Sequence, residues 1–136
     1  MNIFTYGSLM FPSVWGRVVR GDYSCAEARI HGFRRVRVLG AEHPALIISA
    51  NAPGITGRVY FDVSAEDVAR LDHFETANYV RVAIAATVAD QAVVAQSYLA
   101  LTLDLLSNEP WNVEDFERHG LPIFSATYVV ANAPHD

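Results

Sequence analysis

The 136-residue sequence contains no lysine, and all ten of its basic residues are arginine. A chain without lysine cannot form a lysine Schiff base, anchor pyridoxal phosphate or supply the lysine of a phosphate-binding loop. It has one cysteine, Cys25, so an internal disulfide, a CxxC redox pair and a cysteine-ligated metal cluster are excluded. We expect Cys25 to be a small buried or half-buried residue and the protein to occupy a reducing, cytoplasmic compartment.

Charged residues are also scarce, at 18% of the chain with a formal net charge of −5. This balance argues against nucleic acid as a partner, because binding to a phosphate backbone depends on clustered basic side chains. The only basic cluster contains Arg34, Arg35 and Arg37, and we expect it on the solvent face at the end of a strand.

No membrane partner, metal or cofactor is expected. The N-terminal residues 1–4 lack a basic segment, and Gly7 and Ser8 interrupt the apolar run, so neither a signal peptide nor a membrane span is predicted. The five histidines show no spacing typical of a metal site. The oligomeric state stays open at this point.

Apolar residues make up 51% of the sequence, and their pattern predicts one domain over residues 1–136 with an α+β fold. A short helix begins near Pro12 and is expected to stop at Gly21. The many apolar strands favour a curled or closed sheet that leaves few edges exposed. The predicted strands cover residues 2–6, 28–39, 45–49, 56–62, 79–88 and 93–101.

A second helix is predicted between residues 62 and 79. Ser64 and Asp67 match a helix-capping signature, and the helical periodicity turns Glu75 towards the apolar face. Burial would raise the pKa of this carboxyl towards neutrality, as an acid/base catalyst requires. The alternative is that Glu75 turns outward at the helix end or pairs with an arginine such as Arg81.

A glycine-containing turn, Tyr6-Gly7-Ser8-Leu9, lies between the first strand and the first helix. Such a turn can direct successive backbone N–H groups at a carboxylate or an oxyanion. A plain connecting turn is the alternative. Ser8 lacks the context of a hydrolase nucleophile. Tyr79 and Tyr98 have polar tips that could face a pocket.

As an ordered set, these segments resemble the gamma-glutamylcyclotransferase-like family, in particular its AIG2-like branch. The resemblance covers roughly residues 3 to 100, and the segment 111–116 also resembles the C-terminal part of AIG2-like members. The motifs that carry it are Tyr6-Gly7-Ser8-Leu9, His43-Pro44-Ala45-Leu46, Thr56-Gly57-Arg58-Val59-Tyr60, Leu71-Asp72-His73-Phe74-Glu75 and Tyr79-x-Arg81.

The resemblance implies a small mixed β-barrel with two or three short helices and a cavity. It assigns Glu75 as the acid/base in conversion of a γ-glutamyl amine or small γ-glutamyl peptide to 5-oxoproline and a free amine, without a cofactor. The turn residues Tyr6, Gly7, Ser8 and Leu9, together with Tyr79 and Tyr98, would then contact the substrate.

One residue departs from the family pattern, in which glycine often follows the glutamate. Here Thr76 stands at that position, which implies a different turn geometry and leaves the substrate open. Two alternatives remain: a non-catalytic module that binds a small carboxylate-bearing metabolite in the same cavity, and an enzyme that removes a γ-glutamyl protecting group.

Overall fold

Two β-sheets form the framework of the computed structural model, which describes residues 1–39, 43–75, 79–100, 106–120 and 122. The strands are β1 (Ile3–Thr5), β2 (Cys25–Ile30), β3 (Phe33–Val38), β4 (Pro44–Ile48), β5 (Ile55–Tyr60), β6 (Tyr79–Val88), β7 (Gln91–Ala100) and β8 (Leu106–Pro110). The helices are α1 (Pro12–Val18), α2 (Ala65–Glu75) and the single turn α3 (Val113–Asp115), with a 3-10 turn at Ser8–Met10 and a π-helical turn at Phe116–Gly120.

Five strands close into a barrel in the order β1-β5-β2-β6-β7, while β4, β3 and β8 form a separate three-stranded sheet. The first strand closes the barrel because it pairs antiparallel with β5 on one side and parallel with β7 on the other, where Ile3 faces Gln96. The expected α+β class and the mixed barrel are therefore confirmed.

Gly57 permits the close approach of β5 to β1. A Cβ atom at this position would lie 2.2 Å from the Thr5 carbonyl oxygen and 2.6 Å from the Phe4 ring. No side chain can occupy that space, because real Cβ atoms do not approach backbone oxygen so closely. The glycine of the 56–60 motif thus sets how tightly the strand before the 6–9 loop is held.

Two apolar clusters stabilise this arrangement. One joins the helices to the outer wall of the barrel, and the other fills the barrel and reaches Leu46 on β4. The first includes Leu9, Val14, Trp15, Leu71, Phe74 and Trp111, and the second includes Phe4, Tyr6, Ile30, Leu46 and Val59. The 6–9 loop contributes Tyr6 to one cluster and Leu9 to the other, so both clusters hold it in place.

The start of α2 follows the predicted capping signature in part. The Asp67 amide donates to Ser64 Oγ at 3.1 Å, but the Asp67 carboxylate does not return to the Ser64 amide. It is buried and accepts from the amides of Arg20 and Gly21, from the Tyr23 hydroxyl and from Arg70. Asp67 therefore ties the loop after α1 to α2.

Three expectations about the first part of the chain are wrong. The strand predicted over 28–39 is two strands, β2 and β3, because Gly32 adopts a φ of 82° and reverses the chain between them. The first helix ends at Val18, before Gly21. Cys25 is exposed, since it begins β2 on the outward face. No helix in the described ranges combines the length and apolar character needed to cross a bilayer.

Candidate active site

The loop of Tyr6, Gly7, Ser8 and Leu9 is buried throughout. Its carbonyl groups close the 3-10 turn, with the Met10 amide donating to Gly7 O at 3.0 Å and the Phe11 amide to Ser8 O at 3.1 Å. Across the described ranges, the amides of Gly7, Ser8 and Leu9 donate to no acceptor. Buried amides without acceptors are rare, so this loop is suited to bind a negatively charged oxygen.

Pro44 and Leu46 on β4 hold the loop from the side. A Cβ atom on Gly7 would lie 2.8 Å from both Cγ and Cδ of Pro44, so only glycine allows the loop to pass this close to the proline ring. The Pro44 carbonyl accepts from the Tyr79 hydroxyl at 3.3 Å, and the Leu46 backbone hydrogen-bonds the Tyr6 hydroxyl. The 43–46 motif thus supports both the loop and Tyr79.

The Tyr6 side chain is buried, and its hydroxyl donates to the carbonyl of Tyr98 on β7 at 2.7 Å. Its pKa is raised well above the ordinary value, first by burial and then by the charge of Glu75, with Tyr79 and Tyr98 adding smaller effects. Charges are weakly screened in such a buried setting. The Tyr6 phenol therefore shares one electrostatic environment with Glu75, Tyr79 and Tyr98.

Glu75 is the last residue of α2. Burial, and secondarily the charge of Asp72, raises the pKa of its carboxyl to about 8. Among the described residues none donates a hydrogen bond to this carboxylate, so its charged form has no compensation for lost hydration. The pKa of Glu75 is thus shifted in the direction that the sequence predicts.

Asp72 is a neighbour that the sequence did not reveal. Its Oδ1 atom accepts from the Tyr98 hydroxyl at 2.6 Å and from Arg81 Nε at 3.0 Å. Arg81 is thus the ion-pair partner of Asp72, and the alternative of a Glu75–Arg81 pair is wrong. The Tyr98 hydroxyl, which we expected to face a pocket, is held by the protein, and its pKa is raised by burial and by Asp72. The i, i+3 spacing of Asp72 and Glu75 on one helix was the signal for their proximity.

Arg35 is a second residue whose place was predicted wrongly. Its Nη1 atom donates to the Tyr6 carbonyl at 3.0 Å and to the Thr56 carbonyl at 3.2 Å, and its guanidinium carbon lies 5.3 Å from the centre of the Trp111 ring. Burial lowers its pKa, an effect that Glu114 opposes. In a strand, side chains alternate between the two faces, so neighbouring arginines 34 and 35 could not both face solvent.

The remaining expectations concern metals, the C-terminal segment and Thr76. The described part of the chain contains no group of three or more His, Cys, Asp or Glu side chains that could hold a metal ion. Trp111 in the C-terminal segment is buried and packs against Phe116. Thr76 lies outside the described residues.

A cavity of about 310 Å³ contains none of the predicted site residues. It is lined by Arg37, Pro110, Trp111, Asn112, Asp115, Phe116 and His119.

Comparison with known proteins identifies relatives of this fold and sequence. Protein AIG2 C of Arabidopsis thaliana is 29% identical over 83 residues, which cover 61% of this chain and 50% of that protein. The chain spans about half the length of the curated Arabidopsis thaliana relatives that it matches. A solution structure of an Arabidopsis thaliana protein superposes with a TM-score of 0.69 at 25% identity and covers 93% of this chain and 87% of its own.

A structure named Gamma-glutamyl cyclotransferase shares the fold with a TM-score of 0.61 at 15% identity, over 100% of this chain and 89% of that one. At this identity the likeness concerns the fold alone. The family model described as gamma-glutamyl cyclotransferase, AIG2-like, matches residues 3–115. The match includes the 6–9 loop, the 43–46 motif and α2, and the chain therefore belongs to the AIG2-like gamma-glutamyl cyclotransferase family.

Proposed function

We propose that the protein is a cyclotransferase that converts a γ-glutamyl amine or small γ-glutamyl peptide to 5-oxoproline and a free amine. The observation that carries the proposal is the state of the Glu75 carboxyl, which has a pKa of about 8 and whose charge acts on Tyr6 of the 6–9 loop. An acid/base group near neutrality beside acceptor-free amides suits a reaction that moves a proton and develops negative charge.

The amides of Gly7, Ser8 and Leu9 would bind the α-carboxylate of the γ-glutamyl group. They lie at the start of the 3-10 turn and have no acceptor within the described ranges. Leu9 contributes only its amide, since its side chain packs in the helix-side cluster. Tyr79 and Tyr98 would form walls of the site, with their hydroxyls already bound to Pro44 and Asp72.

Glu75 in its carboxylate form accepts a proton from the substrate's α-ammonium group. The freed amine attacks the γ-carbonyl carbon, and a new C–N bond closes the five-membered ring. Glu75 then returns the proton to the leaving nitrogen as the original amide C–N bond breaks. The attacking nitrogen gives its second proton to the same amine, which leaves as an ammonium ion, so 5-oxoproline is released and Glu75 is again a carboxylate. Since nucleophile and electrophile belong to one molecule, the site has only to hold the substrate folded.

This mechanism predicts a bell-shaped dependence of kcat/KM on pH. The rate constant rises as Glu75 ionises near pH 8 and falls when the free substrate's α-ammonium group loses its proton in solution. The two limbs report the free enzyme and the free substrate. A maximum in the acidic range would contradict the role of Glu75 as the proton acceptor.

The test is release of 5-oxoproline from a panel of γ-glutamyl amines and γ-glutamyl dipeptides, followed by mass spectrometry. The wild-type protein should release 5-oxoproline, and Glu75→Gln should not. Glu66→Gln is the matched control: it makes the same chemical change at an exposed position of α2 and should match wild type. Equal turnover by wild type and Glu75→Gln would remove Glu75 from the mechanism.

The same assay separates the alternatives. Hydrolytic removal of a γ-glutamyl group in water labelled with heavy oxygen yields labelled glutamate, whereas cyclisation yields unlabelled 5-oxoproline. A binding module would gain thermal stability from a γ-glutamyl compound and leave it intact. Labelled glutamate, or thermal stabilisation by a compound that stays intact, would contradict the proposed cyclisation.

A further inference from the structure

Arg35 connects the 6–9 loop to the segment after β8. Its side chain extends from β3, donates to the Tyr6 carbonyl at 3.0 Å and also bonds the Thr56 carbonyl of β5. A charged donor to a backbone carbonyl makes a stronger hydrogen bond than a neutral donor. One guanidinium group thus links the 6–9 loop to strand β5 of the barrel.

The Tyr6 carbonyl belongs to the same peptide unit as the Gly7 amide. This unit is planar and trans, since the described chain contains no cis peptide bond. The C=O and N–H bonds of a trans peptide point in opposite directions, so fixing the carbonyl also fixes the amide. Hydrogen bonding at the carbonyl polarises the unit and strengthens its N–H as a donor.

Trp111 holds Arg35 from the other side. Its amide donates to the Arg35 carbonyl at 3.3 Å, and its ring lies against the Arg35 guanidinium. Phe116 packs against the same indole, with ring centres 5.1 Å apart. A guanidinium on an aromatic face has fewer accessible orientations than one in water.

We propose that Arg35, braced by Trp111, is a positioning residue that fixes the Gly7 amide as a donor to the anionic group of the substrate. The inference rests on the proposed function only for the identity of the substrate. Arg35 does not touch the reacting atoms, and it acts through the peptide unit of Tyr6 and Gly7. The segment 111–116 would therefore support the site through Arg35.

The first test is independent of activity. The amide resonance of Gly7 is compared by heteronuclear NMR in wild type, Arg35→Met, Arg35→Lys and Arg37→Met. Arg37 lies two residues along β3, is 57% exposed and pairs with Glu109, so Arg37→Met is a matched control. We expect the Gly7 amide proton to move upfield and exchange faster in Arg35→Met, to do so to a smaller extent in Arg35→Lys, and to stay unchanged in Arg37→Met. An unmoved Gly7 resonance in that variant would overturn the proposal.

The second test is kinetic. Arg35→Met should lower kcat/KM by about tenfold to a hundredfold, the range that follows from misplacing a group that orients the substrate. The loss should lie in KM, because the lost contact is with the substrate's ground-state carboxylate. The rise of the rate near pH 8 should stay in place, as Arg35 is not among the groups that shift the pKa of Glu75. A loss in kcat with unchanged KM would contradict the assignment.

Arg35→Lys retains a cation and a donor, and should recover part of both effects. If Arg35→Lys changed the Gly7 resonance and kcat/KM as much as Arg35→Met does, a cationic donor at this position would not be what fixes the Gly7 amide. This variant also provides the comparison if Arg35→Met does not fold. If wild type releases no 5-oxoproline, the proposed function fails, while the Gly7 resonance still decides the role of Arg35.

Discussion

Two carboxyl groups, on the buried Asp67 and the half-buried Glu75, lie at opposite ends of α2 and have opposite acidities. Asp67, in the first turn, has its pKa lowered to about 2, whereas Glu75, at the last residue, has its pKa raised to about 8. Burial raises the pKa in both cases. At Asp67, hydrogen bonds from Tyr23, from the Arg20 and Gly21 amides and from Arg70 outweigh it.

The difference teaches that donors, more than depth, decide the charge of a buried acid in this protein. The first turn of α2 faces the loop whose Arg20 and Gly21 amides donate to Asp67, and the positive end of the helix dipole also favours a carboxylate there. The last turn faces phenols and a second acid, Asp72, and the helix dipole disfavours negative charge. One carboxyl is therefore suited to hold the fold and the other to exchange protons.

Glu75→Gln should produce the largest effect. Removing a general acid/base lowers the rate by about 10²- to 10⁴-fold, and we expect a fall in kcat of that size for 5-oxoproline release. The measurement is steady-state kinetics on a substrate turned over by wild type. Retention of more than a tenth of wild-type kcat would place the acid/base elsewhere.

The same variant should be more stable than wild type in alkaline solution. The wild-type protein has Glu75 protonated when folded and ionised when unfolded between pH 4.5 and about 8, so its stability falls over that range by at most about 1.4 kcal/mol per pH unit. Below pH 4.5 both states are protonated and the stabilisation is fully present. Chemical denaturation at several pH values would show the slope, which Glu75→Gln should lack.

Asp67→Asn should have the complementary outcome, with lost stability and retained activity. Its amide group would present a donor where the carboxylate accepts from several donors, at a cost of about 2–3 kcal/mol. The stabilisation by Asp67 is present above its unfolded pKa near 3.8 and is lost as pH falls towards 2. Urea unfolding at pH 7 and at pH 3 measures both terms. A kcat that fell in parallel with stability would show that the two ends of α2 are not independent.

Asp72→Asn should have the smallest effect, because the charge of Asp72 is secondary to burial in raising the pKa of Glu75. An asparagine oxygen can still accept from Tyr98 and Arg81, so the contacts remain while the charge is lost. The increase of kcat/KM with pH, which reports the ionisation of Glu75, should move to lower pH, and the maximum value of kcat/KM should change little. A shift to higher pH would show that Asp72 acts on Glu75 through structure instead of charge.

The fold was readable from the sequence where local patterns are strong. Strand β6 and the capping residue Ser64 lie where predicted, since alternation and capping depend on near neighbours. The division of 28–39 into β2 and β3 was missed because a single glycine with positive φ, Gly32, carries it. Strand β8 was missed because its pairing with β3 is long-range and its own composition is weak.

For the candidate site, the sequence indicated the acid Glu75 and the 6–9 loop, but it did not indicate the residues that support them. Glu75 stood out because a charge on an apolar helix face is conspicuous. Arg35 did not, because its partners are backbone carbonyls of Tyr6 and Thr56 on other strands. Backbone acceptors leave no mark in a sequence, so a residue that uses them can be found only from the three-dimensional contacts.

The pairing of β1 with both β5 and β7 also bears on the order of folding. The first strand cannot complete the barrel until β7 exists, because its partner Gln96 is far along the chain. Contacts between such distant segments form late, after the loss of chain entropy has been offset by nearer pairings. The 6–9 loop follows β1 directly, so it takes its final shape only when the barrel closes. During synthesis, the proposed substrate-binding loop would therefore take shape in the last step of folding.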